Sequence, residues 1–219
     1  EELTELAVTS PASLTVEELL FSATLFTDMT DKLAVYTSCS SAYNNDHRGY
    51  NNAGVCLMEM GRRNQAEEAF NAALALSENN SAVLNNVGAI ARQKGMTDVA
   101  ADMYSKAGSG AEINYNKGLV AIARGEYGSA VSNMSAYPSA NLALAKLLNG
   151  DANGAKTTLM NAEDDSAISS YLLAICCARL DDAAGVKANM NAALTKDSTL
   201  KGKAQTDLEF SDFRSELGL

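Results

Sequence analysis

The sequence predicts an all-α protein of stacked, antiparallel helix pairs. Three observations predict it. Of 219 residues, 37 are alanine, the strongest helix former, and only Pro11 and Pro138 are proline, the strongest breaker. Tyr and Phe together number 13 and Trp is absent, so small side chains must make the closest helix contacts. One segment also recurs. Tyr50-Asn51-Asn52-Ala53-Gly54 is followed by Gly61, Ala66, Phe70 and Ala73; Leu84-Asn85-Asn86-Val87-Gly88 is followed by Gly95, Ala100, Tyr104 and Ala107. Every member is offset by 34 residues. A β-sandwich or barrel would need more β-branched residues and turn signals.

Taken in order, residues 1–13 contain Pro11 and are expected to run as an irregular lead-in. Residues 14–46 read as a divergent helix pair over 15–27 and 30–42. Thr15-Val16-Glu17-Glu18 is a capping box before Leu19-Leu20-Phe21, and Thr30-Asp31 opens the second helix with Leu33, Tyr36 and Ala42. The clear copies span 47–80 and 81–110. A third, over 111–135, keeps Gly118, Gly125, Ala130 and Met134, but Gly108-Ser109-Gly110 clips the helix before it. A fourth, over 136–166, has Leu142, Ala143, Gly150, Ala155, Leu159 and Ala162. There Lys146 stands at an apolar place that Leu147 can fill, and Pro138 separates two helices. A fifth, over 167–197, has Ala174, Met190 and Ala193. The segment 198–219 is expected to be a capping helix and tail, the helix covering 198–213 with Leu200, Ala204, Leu208 and Phe210 facing inward.

These spacings resemble the tetratricopeptide repeat (TPR): large at position 4, aliphatic at 7, small at 8, Ala at 20, aromatic at 24 and Ala at 27. Glu78 stands where the family usually has Pro, and Tyr137 where copy three should have Ala. The resemblance implies a right-handed α-solenoid in which small residues let backbones approach and large ones fill the remaining space. One repeat cannot bury its apolar face alone, so neighbours must stack. Thr206-Asp207-Leu208-Glu209-Phe210, with the Tyr-Asn-Asn-Ala-Gly style of the repeats, is similar to TPR segments of Bacteroidota cell-envelope proteins, which implies an envelope or periplasmic location.

Charge and motifs narrow the function. The net charge is −10, and Arg62-Arg63 is the sole basic doublet, so no nucleic-acid partner is expected. No apolar run reaches the roughly 18 to 20 residues of a membrane span, so no direct membrane insertion of this segment is expected. The chain opens Glu1-Glu2-Leu3 without Met or a signal peptide, and is read as a processed protein or excised domain. Cys39, Cys56, Cys176 and Cys177 lack metal-site spacing; they read as small buried hydrophobes, with a Cys39–Cys56 bridge as the alternative. His47, the one histidine, reads as a surface turn residue rather than a general base. No nucleophile elbow, Walker or dinucleotide glycine pattern occurs. Glu163-Asp164-Asp165 and Asp181-Asp182 read as caps rather than calcium ligands. Neither catalysis nor a cofactor or metal is expected.

One constellation remains. Aligned on position 8, asparagine recurs at position 6 as Asn52, Asn86, Asn116 and Asn141. In the TPR family this position tends to face the concave groove. Each amide offers a donor and an acceptor to an extended peptide backbone. The same resemblance places Asn51, Asn85, Val55, Arg92, Tyr115 and Leu119 along the groove, with Met58, Ala89 and Ile122. Of a carboxylate clamp only Asn86 is present, so tight binding of acidic chaperone tails is not expected. The partner implied is a protein or peptide, with a homo-oligomer as a further possibility. A structural spacer or oligomerisation module with an unused groove is the alternative.

Overall fold

The computed structural model describes residues 2–218, and every regular element among them is helical. The chain divides into two compact units that meet between Ile113 and Asn114, inside copy three. The first holds α1 (Glu2–Thr9), a 3-10 turn (Pro11–Ser13), α2 (Val16–Thr24), α3 (Met29–Ala42), α4 (His47–Glu59), α5 (Arg63–Leu76), α6 (Ser81–Gln93), α7 (Thr97–Ala107) and the first turn of α8 (Ala111–Ala123). From α2 to α7, each helix packs on the next.

The lead-in is not irregular. It folds as α1 because Leu3, Leu6 and Ala7 recur at helical spacing and pack against Leu14, Leu19, Ala23, Val35 and Cys39. Pro11 lies beyond the helix and opens the 3-10 turn, where its missing N–H costs nothing. The capping box at Thr15 forms: its hydroxyl accepts from Glu18 N–H at 3.3 Å, and the Glu18 carboxylate accepts from Thr15 N–H at 2.8 Å. Donation from Thr15 N–H, and then from the Thr15 hydroxyl at 2.8 Å, holds the Glu18 carboxyl below its ordinary pKa. Asp28 caps α3, so that helix begins one residue before Thr30.

The second unit holds the rest of α8, then α9 (Tyr127–Met134), α10 (Ala140–Leu148), α11 (Ala152–Asn161), α12 (Ala167–Arg179), α13 (Ala183–Lys196), α14 (Leu200–Thr206), a 3-10 turn (Leu208–Phe213) and α15 (Arg214–Leu217). At 8 residues α9 is shorter than α5 at 14, as the close spacing of copies three and four requires. Pro138 sits in the connection before Ser139, which caps α10. Leu147 is buried, as copy four needs, and Lys146 Nζ donates to Thr158 Oγ1 at 2.8 Å.

The repeat pattern has a steric basis. A Cβ placed at Gly54 would stand 2.5 Å from the Phe70 ring; at Gly88, 2.6 Å from the Tyr104 ring; at Gly118, 2.5 Å from Met134. The missing side chain at position 8 is therefore the socket for the large residue at position 24. In copies four and five, Ala143 and Ala174 are fully buried, as are the small residues Ala155 and Ala193 of the following helices.

The turn between the helices of each pair needs a left-handed residue. Gly61, Gly95, Gly125 and Gly150 supply it, with φ of 72, 74, 76 and 88°. In the fifth copy Asp181 takes the same role at φ 56°. A non-glycine residue is strained there, so Asp181→Gly is expected to stabilise the chain by up to about 1 kcal/mol. Chemical denaturation read by helical circular dichroism checks the sign.

The C-terminal segment departs from the single amphipathic helix expected. The α-helix stops at Thr206, where the Asp207 carboxylate caps the following turn by accepting from Glu209 N–H at 3.1 Å. The chain then continues as a 3-10 turn, in which one of the two expected inward orientations is lost. Phe210 is fully buried, whereas Leu208 is 81% exposed rather than facing inward. Leu200 and Ala204 are buried as expected. Residues 1 and 219, at the outer ends of the lead-in and the tail, lie outside the described residues.

The four cysteines are buried thiols, so the Cys39–Cys56 bridge does not form. Burial pushes Cys39 and Cys176 up to about 11, which leaves them weak nucleophiles.

Candidate functional site

The predicted amides fall into two groups, one in each unit. In the first unit, α4 presents Asn51 and Asn52 while α6 presents Asn85 and Asn86. They are joined. Asn86 Nδ2 donates to Asn51 Oδ1 at 2.9 Å, and Asn51 Nδ2 donates to Asn52 Oδ1 at 3.3 Å. Asn51 is therefore a hub whose donor and acceptor both serve neighbouring asparagines. Among the described residues, Asn52 Nδ2 and Asn86 Oδ1 keep no hydrogen-bond partner. The three-amide chain ends in one open donor and one open acceptor.

Two grooves adjoin this chain. One, of about 210 Å³, is lined by Asn52, Val55, Tyr36, Lys32 and Glu59. The other, of about 530 Å³, is lined by Asn85, Asn86, Val55, Glu112 and Ile113. Val55 belongs to both and is exposed. Asn85 is buried and donates to Glu112 Oε1 at 2.7 Å, so it braces the rim. Arg92 is half-buried near the end of α6.

In the second unit, Asn141 Nδ2 donates to the Tyr115 hydroxyl at 2.7 Å. The Tyr115 ring meets the exposed Tyr137 edge-on, with centroids 6.3 Å apart. Asn116 is buried, the most enclosed of the position-6 series, and Leu119 is half-buried.

His47 has a structural position the sequence did not reveal. It is half-buried at the start of α4, and its Nε2 lies 3.1 Å from Asn80 Nδ2. Asn80 in turn caps α6 by accepting from Val83 N–H. The histidine thus joins the openings of two successive repeats. The start of a copy at residue 81 is legible in the sequence, but the 33-residue link from Asn80 to His47 is not. No group of three or more His, Cys, Asp or Glu suited to a metal ion occurs among the described residues. No helix there is long and apolar enough to cross a membrane.

Comparison with known proteins agrees with this architecture. Residues 47–80 match the family model of the tetratricopeptide repeat. No curated protein sequence matches the chain. Among solved structures, a chain of the APC/C hetero-tetramer Cut9–Hcn1 superposes with a TM-score of 0.77 at 12% identity, covering 99% of this chain and 45% of that one. This chain therefore spans less than half the length of that protein. A tetratricopeptide repeat protein from Parabacteroides merdae gives 0.65 at 16% identity, covering 91% and 87% of the two chains. YrrB, a TPR protein with an unusual peptide-binding site, gives 0.59 at 16% identity, covering 78% and 98%. At these identities the likeness is one of fold. Residues 47–80 thus match the tetratricopeptide repeat, and the chain has the all-α fold of tetratricopeptide-repeat structures.

Proposed function

We propose that the chain is a protein-interaction scaffold whose first unit binds an extended segment of a partner protein across α4 and α6. The observation that supports this reading is the asparagine chain with its open ends. A backbone carbonyl can accept from Asn52 Nδ2, and a backbone N–H can donate to Asn86 Oδ1, whatever side chains the segment carries. Exposed Val55 supplies an apolar contact beside them. The Asn51 hub holds both amides in orientation, which lowers the entropic cost of binding. YrrB, of like fold, has a peptide-binding site. The envelope setting implied by the Thr206–Phe210 resemblance belongs to the same proposal, and fractionation of the native host tests it.

A segment captured from the native host is expected to bind Asn52→Ala or Asn86→Ala roughly tenfold more weakly, the effect of one net hydrogen bond of about 1 to 1.5 kcal/mol. Asn116→Ala is expected to change little, because that residue is buried. Isothermal titration checks each. Unchanged affinity in Asn52→Ala and Asn86→Ala would remove the asparagine chain from the proposal.

One observation favours a spacer instead. Asn51, Asn86 and Asn141 each donate an amide N–H to a neighbour within the protein. On that reading Asn86→Ala would lower stability without altering any binding. Light scattering across concentration would then show whether the chain self-associates.

A further inference from the structure

The larger groove beside the asparagine chain carries a single charge. Among its lining residues Glu112 alone is ionic, and Val55, Ala82, Ala111 and Ile113 are apolar. At about 530 Å³ it falls in the size range of sites that hold small ligands. The chain path brings the carboxylate there. α7 ends after 11 residues, against 14 in α5, and Gly108-Ser109-Gly110 leads directly into the first turn of α8, where Glu112 is exposed. The Ser81 hydroxyl donates to the Ala107 carbonyl at 2.6 Å and ties the start of α6 to the end of α7.

The polar atoms of this groove have one character. Glu112 Oε1 accepts from Asn85 Nδ2 at 2.7 Å, which holds the carboxylate at the rim. Among the described residues Glu112 Oε2 has no hydrogen-bond partner, and Glu112 makes no ion pair. The Ser81 hydroxyl has given its one proton to Ala107, so its oxygen remains as an acceptor. Asn86 Oδ1 is a further open acceptor. Acceptors and one negative charge beside apolar walls suit a cationic donor on an aliphatic stem. Lysine fits better than arginine. A guanidinium pairs best through both carboxylate oxygens, and Asn85 already uses one of them. The net charge of −10 favours the approach of a cationic segment.

We propose that this groove takes a lysine side chain of the bound segment, with its stem along Val55 and Ile113 and its ammonium on Glu112 Oε2. The inference rests on the scaffold reading, and its test separates the two. n-Butylammonium chloride is titrated into the full chain against sodium chloride at equal ionic strength. The Val55 and Ile113 methyl signals and the Asn85 side-chain amide are followed by NMR. n-Butylammonium is expected to give saturable shifts at all three. n-Butanol, with the same stem and no charge, should bind about fivefold more weakly, the upper range for an exposed charge pair. Glu112→Gln, which keeps an acceptor for Asn85, should bring n-butylammonium down to the n-butanol level. Equal affinity for the two probes, or unchanged n-butylammonium binding in Glu112→Gln, would overturn the site. The peptide acetyl-Gly-Ala-Lys-Ala-Gly-amide and its norleucine counterpart then address the scaffold reading. The lysine peptide is expected to bind about fivefold more tightly and to move the Asn52 and Asn86 side-chain amides as well. Equal binding of both peptides with those amides moving would overturn the lysine site and support the scaffold. Groove shifts with the lysine peptide while Asn52 and Asn86 stay unmoved would support the lysine site and overturn the scaffold reading. An arginine counterpart that binds more tightly than the lysine peptide would overturn the choice of lysine.

Discussion

Phe210→Ala is expected to destabilise the C-terminal end of the chain by about 3 to 5 kcal/mol, the largest effect of any single substitution considered. Phe210 is fully buried and closes the cluster formed by Tyr171, Cys177, Val186, Met190 and Leu200. Its ring meets Tyr171 edge-on at 5.5 Å. The Tyr171 hydroxyl donates to Asp207 Oδ2 at 2.8 Å, and Arg179 Nη2 donates to Glu209 Oε1 at 2.5 Å, so polar groups on both sides hold the plug in place. Burial, and then the Asp207 carboxylate, raise the Tyr171 hydroxyl pKa. Repeat arrays are stabilised by nearest-neighbour contacts, so damage at one end stays local. Hydrogen exchange is therefore expected to show lost protection over α12 and α13, with α4 to α7 unchanged. Leu208→Ala, at an exposed position, is the control and should change little. Equal effects of the two substitutions would show that the cap is not built as described.

Gly88→Ala is expected to destabilise although alanine is the better helix former. The propensity gain is about 1 kcal/mol. Against it stands a Cβ placed 2.6 Å from the Tyr104 ring, which is fully buried and has nowhere to move. Overpacking of this kind costs about 1 to 3 kcal/mol, and larger side chains at the same place cost more, so Gly88→Val should cost the most. Gly54→Ala, against Phe70, should behave alike. Gly118→Ala should cost less, because its obstacle is the flexible Met134 side chain. Gly202→Ala, in α14 with nothing within 4 Å, should instead stabilise by up to about 1 kcal/mol. Thermal and chemical denaturation of these variants would give the order of effects. A stabilised Gly88→Ala would contradict the socket.

What the sequence reveals here follows from how local its causes are. The Gly54–Phe70 and Gly88–Tyr104 sockets are legible because a fixed 16-residue step carries both halves of each contact and then repeats. The turn glycines are legible for the same reason, and Asp181 is the exception because its side chain disguises a left-handed position. The C-terminal plug is half legible. Leu200, Ala204 and Phe210 have apolar character, but the shift of register depends on the 3-10 turn that Asp207 caps, which hydrophobic spacing does not encode. Pro11 misleads in the other direction, since it ends a helix that the apolar residues before it had already formed.

The asparagine series shows the same boundary. Periodicity places Asn52, Asn86, Asn116 and Asn141 at equivalent positions. It does not say that Asn86 reaches Asn51 rather than Asn52, because that depends on the offset between two helices. It also does not say that Asn116 is enclosed.

The most direct measurement is the side-chain amide NMR spectrum of the chain with and without a captured partner segment. If the first unit holds an extended backbone, the Asn52 and Asn86 amide signals move together at a single affinity, and the Asn51 hub signals follow. Full binding with those signals unmoved, and the changes mapped instead to the outer surfaces of α5 and α7, would contradict it.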